Sequence, residues 1–328
     1  MLTVSPSPHY QTDTNTRKLM CNVLIALIPA FVFSIVVFGV SALISMLTAV
    51  ISCVFFEFAI SKWLFKDEEY SIKDCSAIIT GVLLSFNLPN TLPLWMVVIG
   101  SLVAIGIAKM SFGGLGCNIF NPALVGRVFL LVSFPADMTT WSKVQDYETI
   151  DGTTGATPLG LIKESIMSGK TLSQIDLPSM QDMFLGNIGG SFGEISVIAL
   201  VIGGIYLLCT RTITWHIPVS VLGSMFILSG IMFVVNPELN ANPLIHICSG
   251  GAMLGAIFMA TDYSTSPMTS LGKIIFGIGI GVITIIIRKF GAYPEGMSFA
   301  ILIMNAIVPL INKIKPHRYG SKELKIKK

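Results

Sequence analysis

Between Leu19 and Ser61 the chain carries one charged residue, Glu57, and between Ser76 and Ala108 it carries none. At about 1.5 Å per helical residue, each run is long enough to cross a hydrocarbon core of roughly 30 Å twice, with a turn between the crossings. Across all 328 residues only 12% are charged and 53% are apolar, whereas about a quarter of a soluble domain is charged. These stretches predict an all-α integral membrane protein whose partner is the lipid bilayer. They argue against a water-soluble enzyme, a nucleic-acid-binding protein and a secreted disulfide scaffold.

Arg17 and Lys18 precede the first apolar run, 19–40. That run is too long for a signal-peptide core, lacks a small-x-small cleavage site and leads directly into a second apolar segment, so it reads as a retained anchor. The six cysteines, Cys21, Cys53, Cys75, Cys117, Cys209 and Cys248, occur singly on or beside apolar segments without a C-x-x-C pair. They are expected to be buried small apolar residues.

Ten spans are expected, at about 19–40, 42–61, 76–88, 94–109, 116–134, 195–210, 215–235, 244–260, 272–288 and 297–312. Several are short or interrupted by Gly, Pro or Asn, the mark of broken helices around a central site. GVLLSFNLP around Gly81 is echoed by GAIFMATDY around Gly255, and Lys109-Met-Ser-Phe112-Gly113 by Arg288-Lys-Phe290-Gly291. Each echo precedes an apolar segment with an inward Asn, Asn121 or Asn305. The expectation is two five-helix repeats, the second inverted because each holds an odd number of spans. The domains are then a cytoplasmic segment 1–18, a first repeat 19–134, a loop 135–194, a second repeat 195–312 and a basic tail 313–328.

With both termini cytoplasmic, fifteen Lys and Arg fall on that side and five on the other, with Arg127 inside a span. This bias follows the positive-inside rule, and it puts the insert 135–194 outside. The insert holds eight acids, Asp137, Asp146, Glu148, Asp151, Glu164, Asp176, Asp182 and Glu194, against three lysines. Its charge is −5, so the rest of the chain totals +8 within a net +3. A connection of this length is functional or disordered.

The centre of the insert reads Asp151-Gly-Thr-Thr-Gly-Ala-Thr157-Pro-Leu159. Its small residues and hydroxyls describe a surface turn, with Pro158 biasing Thr157 toward extended backbone. That turn is the reading composition favours; the same residues also meet the needs of an accessible hydroxyl, with little bulk before it and an acid nearby, that another enzyme modifies. The local spacing leaves the choice, and the type of modification, open.

At these residues the chain resembles the family of membrane subunits comprising the D subunit of the Rnf electron-transport complex and the B subunit of the sodium-pumping NADH:quinone oxidoreductase. The resemblance runs from Ser7-Pro-His9 through Phe112-Gly-Gly-Leu-Gly-Cys-Asn118-Ile-Phe-Asn121-Pro-Ala-Leu124 to Met259-Ala-Thr261-Asp262. In that family D-x-x-(S/T)-G-A-T is the acceptor for a flavin transferase that links FMN through its phosphate to the final threonine. Asp151, Thr154, Gly155, Ala156 and Thr157 fill its defined positions. The resemblance implies covalent FMN on Thr157 and a relay between ferredoxin and NAD, coupled to Na⁺ or H⁺ transport across a bacterial or archaeal cell (inner) membrane. It also implies the other Rnf subunits as partners, among them the second covalent-flavin subunit. The chain would be one component of a redox-driven translocase, not catalytic alone. The quinone-reducing branch usually has a longer amino-terminal extension, so the first span at Leu19 favours the Rnf branch, with the quinone-reducing B subunit as the alternative. A non-redox channel or transporter of related fold is the alternative of a different class, and such a channel has no need for the acceptor motif.

Polar residues inside the spans carry several readings. Glu57 at membrane depth is by default a functional acid: an ion or proton ligand, a partner of Arg127, or a side chain reaching the interface near Lys62. Asn118 and Asn121, before Pro122, suit either the start of a half-helix facing a ligand or plain helix capping. The resemblance implies a second, non-covalent flavin, riboflavin, with Asn118, Asn121 and Asp262 as candidate walls. His9, His216, His246 and His317 are too scattered for a metal site, and there is no P-loop, dinucleotide fingerprint or iron–sulfur cysteine run.

Overall fold

The computed structural model describes residues 15–65, 74–141, 155–168, 178–186, 189–193 and 196–314. Asp151 and Thr154 lie outside the described residues. Among those described, regular structure is entirely helical. The helices are α1 (Thr16–Phe38), α2 (Val40–Ile60), α3 (Ser76–Phe86), α4 (Leu94–Leu102), α5 (Pro122–Ser133), α6 (Pro135–Thr139), α7 (Pro158–Met167), α8 (Met180–Leu185), α9 (Val197–Cys209), α10 (His216–Val235), α11 (Pro243–Cys248), α12 (Ala252–Leu254), α13 (Ser270–Phe290) and α14 (Met297–Ile311). Wider π-helical turns extend α2 through Ser61–Phe65, α4 through Val103–Ile107 and α12 through Gly255–Met259.

Five helical stretches, Thr16–Phe38, Val40–Phe65, Leu94–Phe112, His216–Val235 and Ser270–Phe290, are long and apolar enough to cross a membrane. Shorter apolar helices, α3, α5, α9 and α14, complete the body. Apolar side chains cover much of its outer surface, including Val32, Val36, Ile51, Ile227 and Val234. In water such a surface would aggregate, whereas in lipid it is solvated. The expected span 244–260 is broken: α11 stops at Cys248, the chain turns through Gly250 and Gly251 at positive φ, and α12 begins. Likewise α3 ends at Phe86 and residues 87–93 continue without a long helix. The fifth span begins at Pro122, not near 116, because Gly113, Gly114 and Gly116 take positive φ and hold that stretch in turns.

Packing joins the two ends of the chain. α1 lies on α9, α10 on α13, α2 on α3 and α4, and α5 meets α14. At the α1–α9 crossing, a Cβ on Gly203 would run into the carbonyl oxygen of Ala26. In lipid, where burial of apolar surface contributes little between helices, such close backbone approach is what holds them. Gly203→Val is expected to force these helices apart and lower the melting temperature of the detergent-solubilised protein by several degrees, by analogy with overpacking costs of about 1–3 kcal/mol. An unchanged melting temperature would show that the crossing contributes little.

Contacts sort the loops to two ends. At one, Asn22 Nδ2 donates to Thr212 Oγ1 at 3.2 Å, and Lys273 Nζ to Thr214 Oγ1 at 3.2 Å. At the other, Thr91 Oγ1 donates to the Thr140 carbonyl at 3.0 Å, and Lys163 of α7 to the carbonyls of Gly291 and Tyr293 beyond α13. The 21 residues of α13 separate these ends by roughly 30 Å.

The cysteines depart from expectation. Cys53 and Cys248 are buried, but Cys117 and Cys209 are exposed, the first in the glycine turns before α5 and the second in the last turn of α9.

Candidate functional site

Thr157 precedes Pro158, whose missing N–H and fixed φ suit the first position of a helix. The threonine hydroxyl then serves the free first turn: Thr157 Oγ1 accepts from Gly160 N at 3.1 Å, and the Thr157 carbonyl from Leu161 N at 2.9 Å. Gly155 N donates to the Trp141 carbonyl at 3.0 Å, tying the segment to the end of α6. Thr157 is 7% exposed, so the hydroxyl that the sequence reads as accessible is buried, and a side chain on Gly160 would crowd it further. α7 is fastened beneath by Leu159 and Ile162, both buried, and by Lys163, whose pKa is held below the usual lysine range by burial. The result is one hydroxyl held at a helix N-terminus, where backbone N–H groups and the helix dipole favour negative charge.

At the opposite end, a partly open cavity brings Asn118, Asn121 and Asp262 together, with Lys109, Ser76 and Thr80 on the same walls. Asn121 caps α5, its Oδ1 accepting from Ala123 N at 3.1 Å and Leu124 N at 3.4 Å, while its Nδ2 donates to the Met259 carbonyl at 3.2 Å. Capping and cavity wall are therefore one role for Asn121. With the Asn305 amide turned to satisfy its neighbours, its oxygen accepts from Asn121 N at 3.2 Å, so the two inward asparagines meet. Asn118 is 5% exposed and its Oδ1 is buried without a hydrogen-bond partner. An orphan acceptor on a cavity wall is a place for a ligand donor. Asp262 Oδ2 accepts from Ser264 Oγ at 3.0 Å and Thr265 Oγ1 at 3.2 Å.

Glu57 pairs with neither Arg127 nor the interface. It is fully buried and accepts from Lys109 Nζ at 2.6 Å, and Lys109 also donates to Ser76 Oγ at 2.7 Å. Arg127 pairs instead with Glu295 and donates to Asn87 Oδ1 at 2.8 Å. The correction is geometric: α4 returns Lys109 to the end where Glu57 sits, while Glu295 dips from the α13–α14 connection to the middle of α5. Lys109 and Glu295 go unrecognised as partners in the sequence alone. Their signal was available, since each is a charge bordering an apolar span and an opposite charge lies inside another.

The model of the NQR2, RnfD, RnfE family matches residues 3–320. The chain belongs to that family. It is 46% identical over 327 residues, 99% of this chain and 97% of the relative, to the D subunit of the Na(+)-translocating ferredoxin:NAD(+) oxidoreductase complex of Acetobacterium woodii. It is 44% identical over 325 residues, 98% and 97% of the two chains, to the D subunit of the proton-translocating ferredoxin:NAD(+) oxidoreductase complex of Clostridium ljungdahlii. Against the D subunit of the ion-translocating oxidoreductase complex of Escherichia fergusonii it is 37% identical over 350 residues, covering 98% and 99%. The Phe112–Leu124 turn and Thr261-Asp262, two stretches that carried the resemblance, contribute to the cavity, and the third, the end of the acceptor motif, opens α7.

Proposed function

We propose that the chain is the membrane subunit of an ion-translocating ferredoxin:NAD⁺ oxidoreductase, relaying electrons through FMN covalently attached to Thr157 and coupled to Na⁺ or H⁺ transport. The observation that carries this reading is the Thr157 hydroxyl, closing D-x-x-T-G-A-T and seated on the first turn of α7. Identity to relatives named as ferredoxin:NAD⁺ oxidoreductase subunits supports this branch over the quinone-reducing one. A simple channel leaves the acceptor segment without a purpose.

The residues fit the group. Thr157 Oγ1 would carry the phosphoryl group of FMN, and the N–H groups of the first turn of α7 would favour its negative charge. Gly155 and Ala156 add little bulk before the hydroxyl, and Lys163 fixes the helix. In the cavity Asn118 Oδ1 would offer an acceptor to a riboflavin, and Lys109 would supply positive charge on the same wall. When bound, the flavins supply one- and two-electron redox chemistry. The maturation partner is a flavin transferase, and the redox partners are the other subunits, including one with a second covalent flavin.

The two sites belong to opposite ends of the molecule, consistent with electrons crossing the membrane between them. The body reads as ten spans in two inverted five-helix units. Supporting this are the left-handed residues, Cys75 and Gly251, that precede α3 and α12, and the meeting of Asn87 Nδ2 with Met259 Sδ at 3.7 Å. Both termini are then cytoplasmic and Thr157 extracytoplasmic.

Mass spectrometry of the Thr157 peptide from the native host tests the attachment: an unmodified peptide would sink it. For the ion role, Glu57→Gln is expected to slow redox-driven cation transport severalfold in vesicles while flavin attachment is unchanged. Coupled transport at the wild-type rate would remove Glu57 from the pathway.

A further inference from the structure

Thr157 is covered where a modifying enzyme has to reach it. The residue is 7% exposed, its hydroxyl accepts from Gly160 N, and the chain on either side is tied down. On the amino side Gly155 N donates to the carbonyl of Trp141, which is itself buried. On the carboxyl side Leu159 and Ile162 of α7 are buried. Leu159 rests so closely on the turn between α11 and α12 that a Cβ on Gly250 would run into its Cδ1. One turn further on, Lys163 Nζ donates to the carbonyls of Gly291 and, at 3.1 Å, Tyr293. Phosphoryl transfer needs the attacking oxygen about 3–3.5 Å from phosphorus and in line with the bond that breaks. A flavin dinucleotide held in another protein's active site cannot take that position at a hydroxyl so covered. The fastening, however, is local: two apolar side chains and one ammonium hold the ten residues of α7, and a segment of that kind opens without the rest of the fold.

We infer that α7 is a latch over the acceptor. Thr157 is modified while α7 is lifted from the α11–α12 turn and from the Gly291–Tyr293 connection, and Leu159 and Lys163 set how often it lifts. The inference rests on the reading of Thr157 as the flavin acceptor. In the lifted segment Thr157 Oγ1 attacks the flavin-side phosphorus of a flavin dinucleotide carried by the transferase. The new O–P bond replaces the phosphoanhydride bond, the hydroxyl proton passes to a base of the transferase, and the nucleoside monophosphate leaves. No electron is gained or lost. A partner that acts only on the open form works at a rate set by the fraction open.

The test uses the full chain, made without the transferase and purified in detergent. Transferase and flavin dinucleotide are added, and the initial rate of covalent fluorescence at Thr157 is read beside hydrogen exchange of the α7 amides. Lys163→Met keeps the apolar stem and removes the ammonium, while Leu159→Ala removes the contact with the Gly250 turn. Each is expected to raise both the exchange and the rate on the order of tenfold, as loss of a charge-assisted hydrogen bond or a buried side chain does to an opening equilibrium. If Leu159→Ala unfolds, exchange rises across the whole chain instead of in α7, and Lys163→Met decides. A transferase that recognises the docked helix gives the opposite result, slower attachment in variants that exchange faster. That outcome overturns the latch, as does α7 exchange that neither variant moves, or a rate that stays at the wild-type value while exchange rises. Attachment to none of the purified chains, with the coexpressed wild type carrying flavin, overturns the latch alone. A coexpressed wild type without flavin overturns the acceptor reading and the latch together.

Discussion

Thr157→Val, coexpressed with its flavin transferase, is expected to lose the covalent flavin completely. The wild-type chain is expected to give a fluorescent band under ultraviolet light after denaturing electrophoresis, and the variant none. Valine keeps the β-branched shape of threonine but has no oxygen to carry a phosphoester. It also removes the acceptor for Gly160 N, a cap whose loss costs about 1 kcal/mol. Because α7 is also held by Leu159, Ile162 and Lys163, that cost leaves the chain folded, and the loss of fluorescence reports chemistry. Thr157→Ser retains the hydroxyl and is expected to keep a band, at reduced yield. Fluorescence persisting in Thr157→Val would move the acceptor to another hydroxyl of the segment, such as Thr154.

Arg127→Met is expected to be the most damaging single change to the membrane body. The guanidinium lies in α5, on a residue 4% exposed, where it holds Glu295 and Asn87 Oδ1. Removing it leaves the Glu295 carboxylate buried, with Oε1 already lacking a hydrogen bond. Breaking a buried pair from one side costs on the order of 3–5 kcal/mol, a fall in melting temperature on the order of 10 °C for a chain of this size. Arg127→Met with Glu295→Leu is expected to recover much of the loss, because neither charge is then left alone. Thermal unfolding of the detergent-solubilised complex measures both. A single variant that melts with the wild type would mean that Glu295 is reached by water and the pair contributes little.

Much of the fold was legible because lipid allows so few solutions. Backbone polar groups must be satisfied within each apolar run, so runs without charge and their Gly, Pro and Asn breaks gave helix positions within a few residues. The differences fall where glycines replace helix by turn, as at Gly113–Gly116 and Gly250–Gly251. Of the site, Asn118, Asn121 and Asp262 were named from the chain, and the fold collects them in one cavity. Thr157 was legible through its motif, but its place at the start of α7 was not, since ten helical residues within a polar insert have weak periodicity. Cys53 and Cys248 are buried as expected, while burial of Cys117 and Cys209 was overestimated because proximity to an apolar segment says nothing of which face a side chain occupies.

The partners of the buried charges show where sequence stops. Glu57, Lys109, Arg127 and Glu295 are each readable as a cost in hydrocarbon, and neutrality requires that acids find bases. Glu57 precedes Lys109 by 52 positions, and Arg127 precedes Glu295 by 168. No periodicity spans such distances. Charge order picked out the long apolar runs as membrane-spanning helices and one acidic stretch of the sequence as unlike them, because transfer of charge into lipid is costly wherever it occurs. Which cation neutralises which acid, and that Lys109 stands between Glu57 and a cavity, was decided by tertiary structure, since the packing of α2 against α3 and α4 brings Lys109 to Glu57 and the meeting of α5 with α14 brings Arg127 to Glu295.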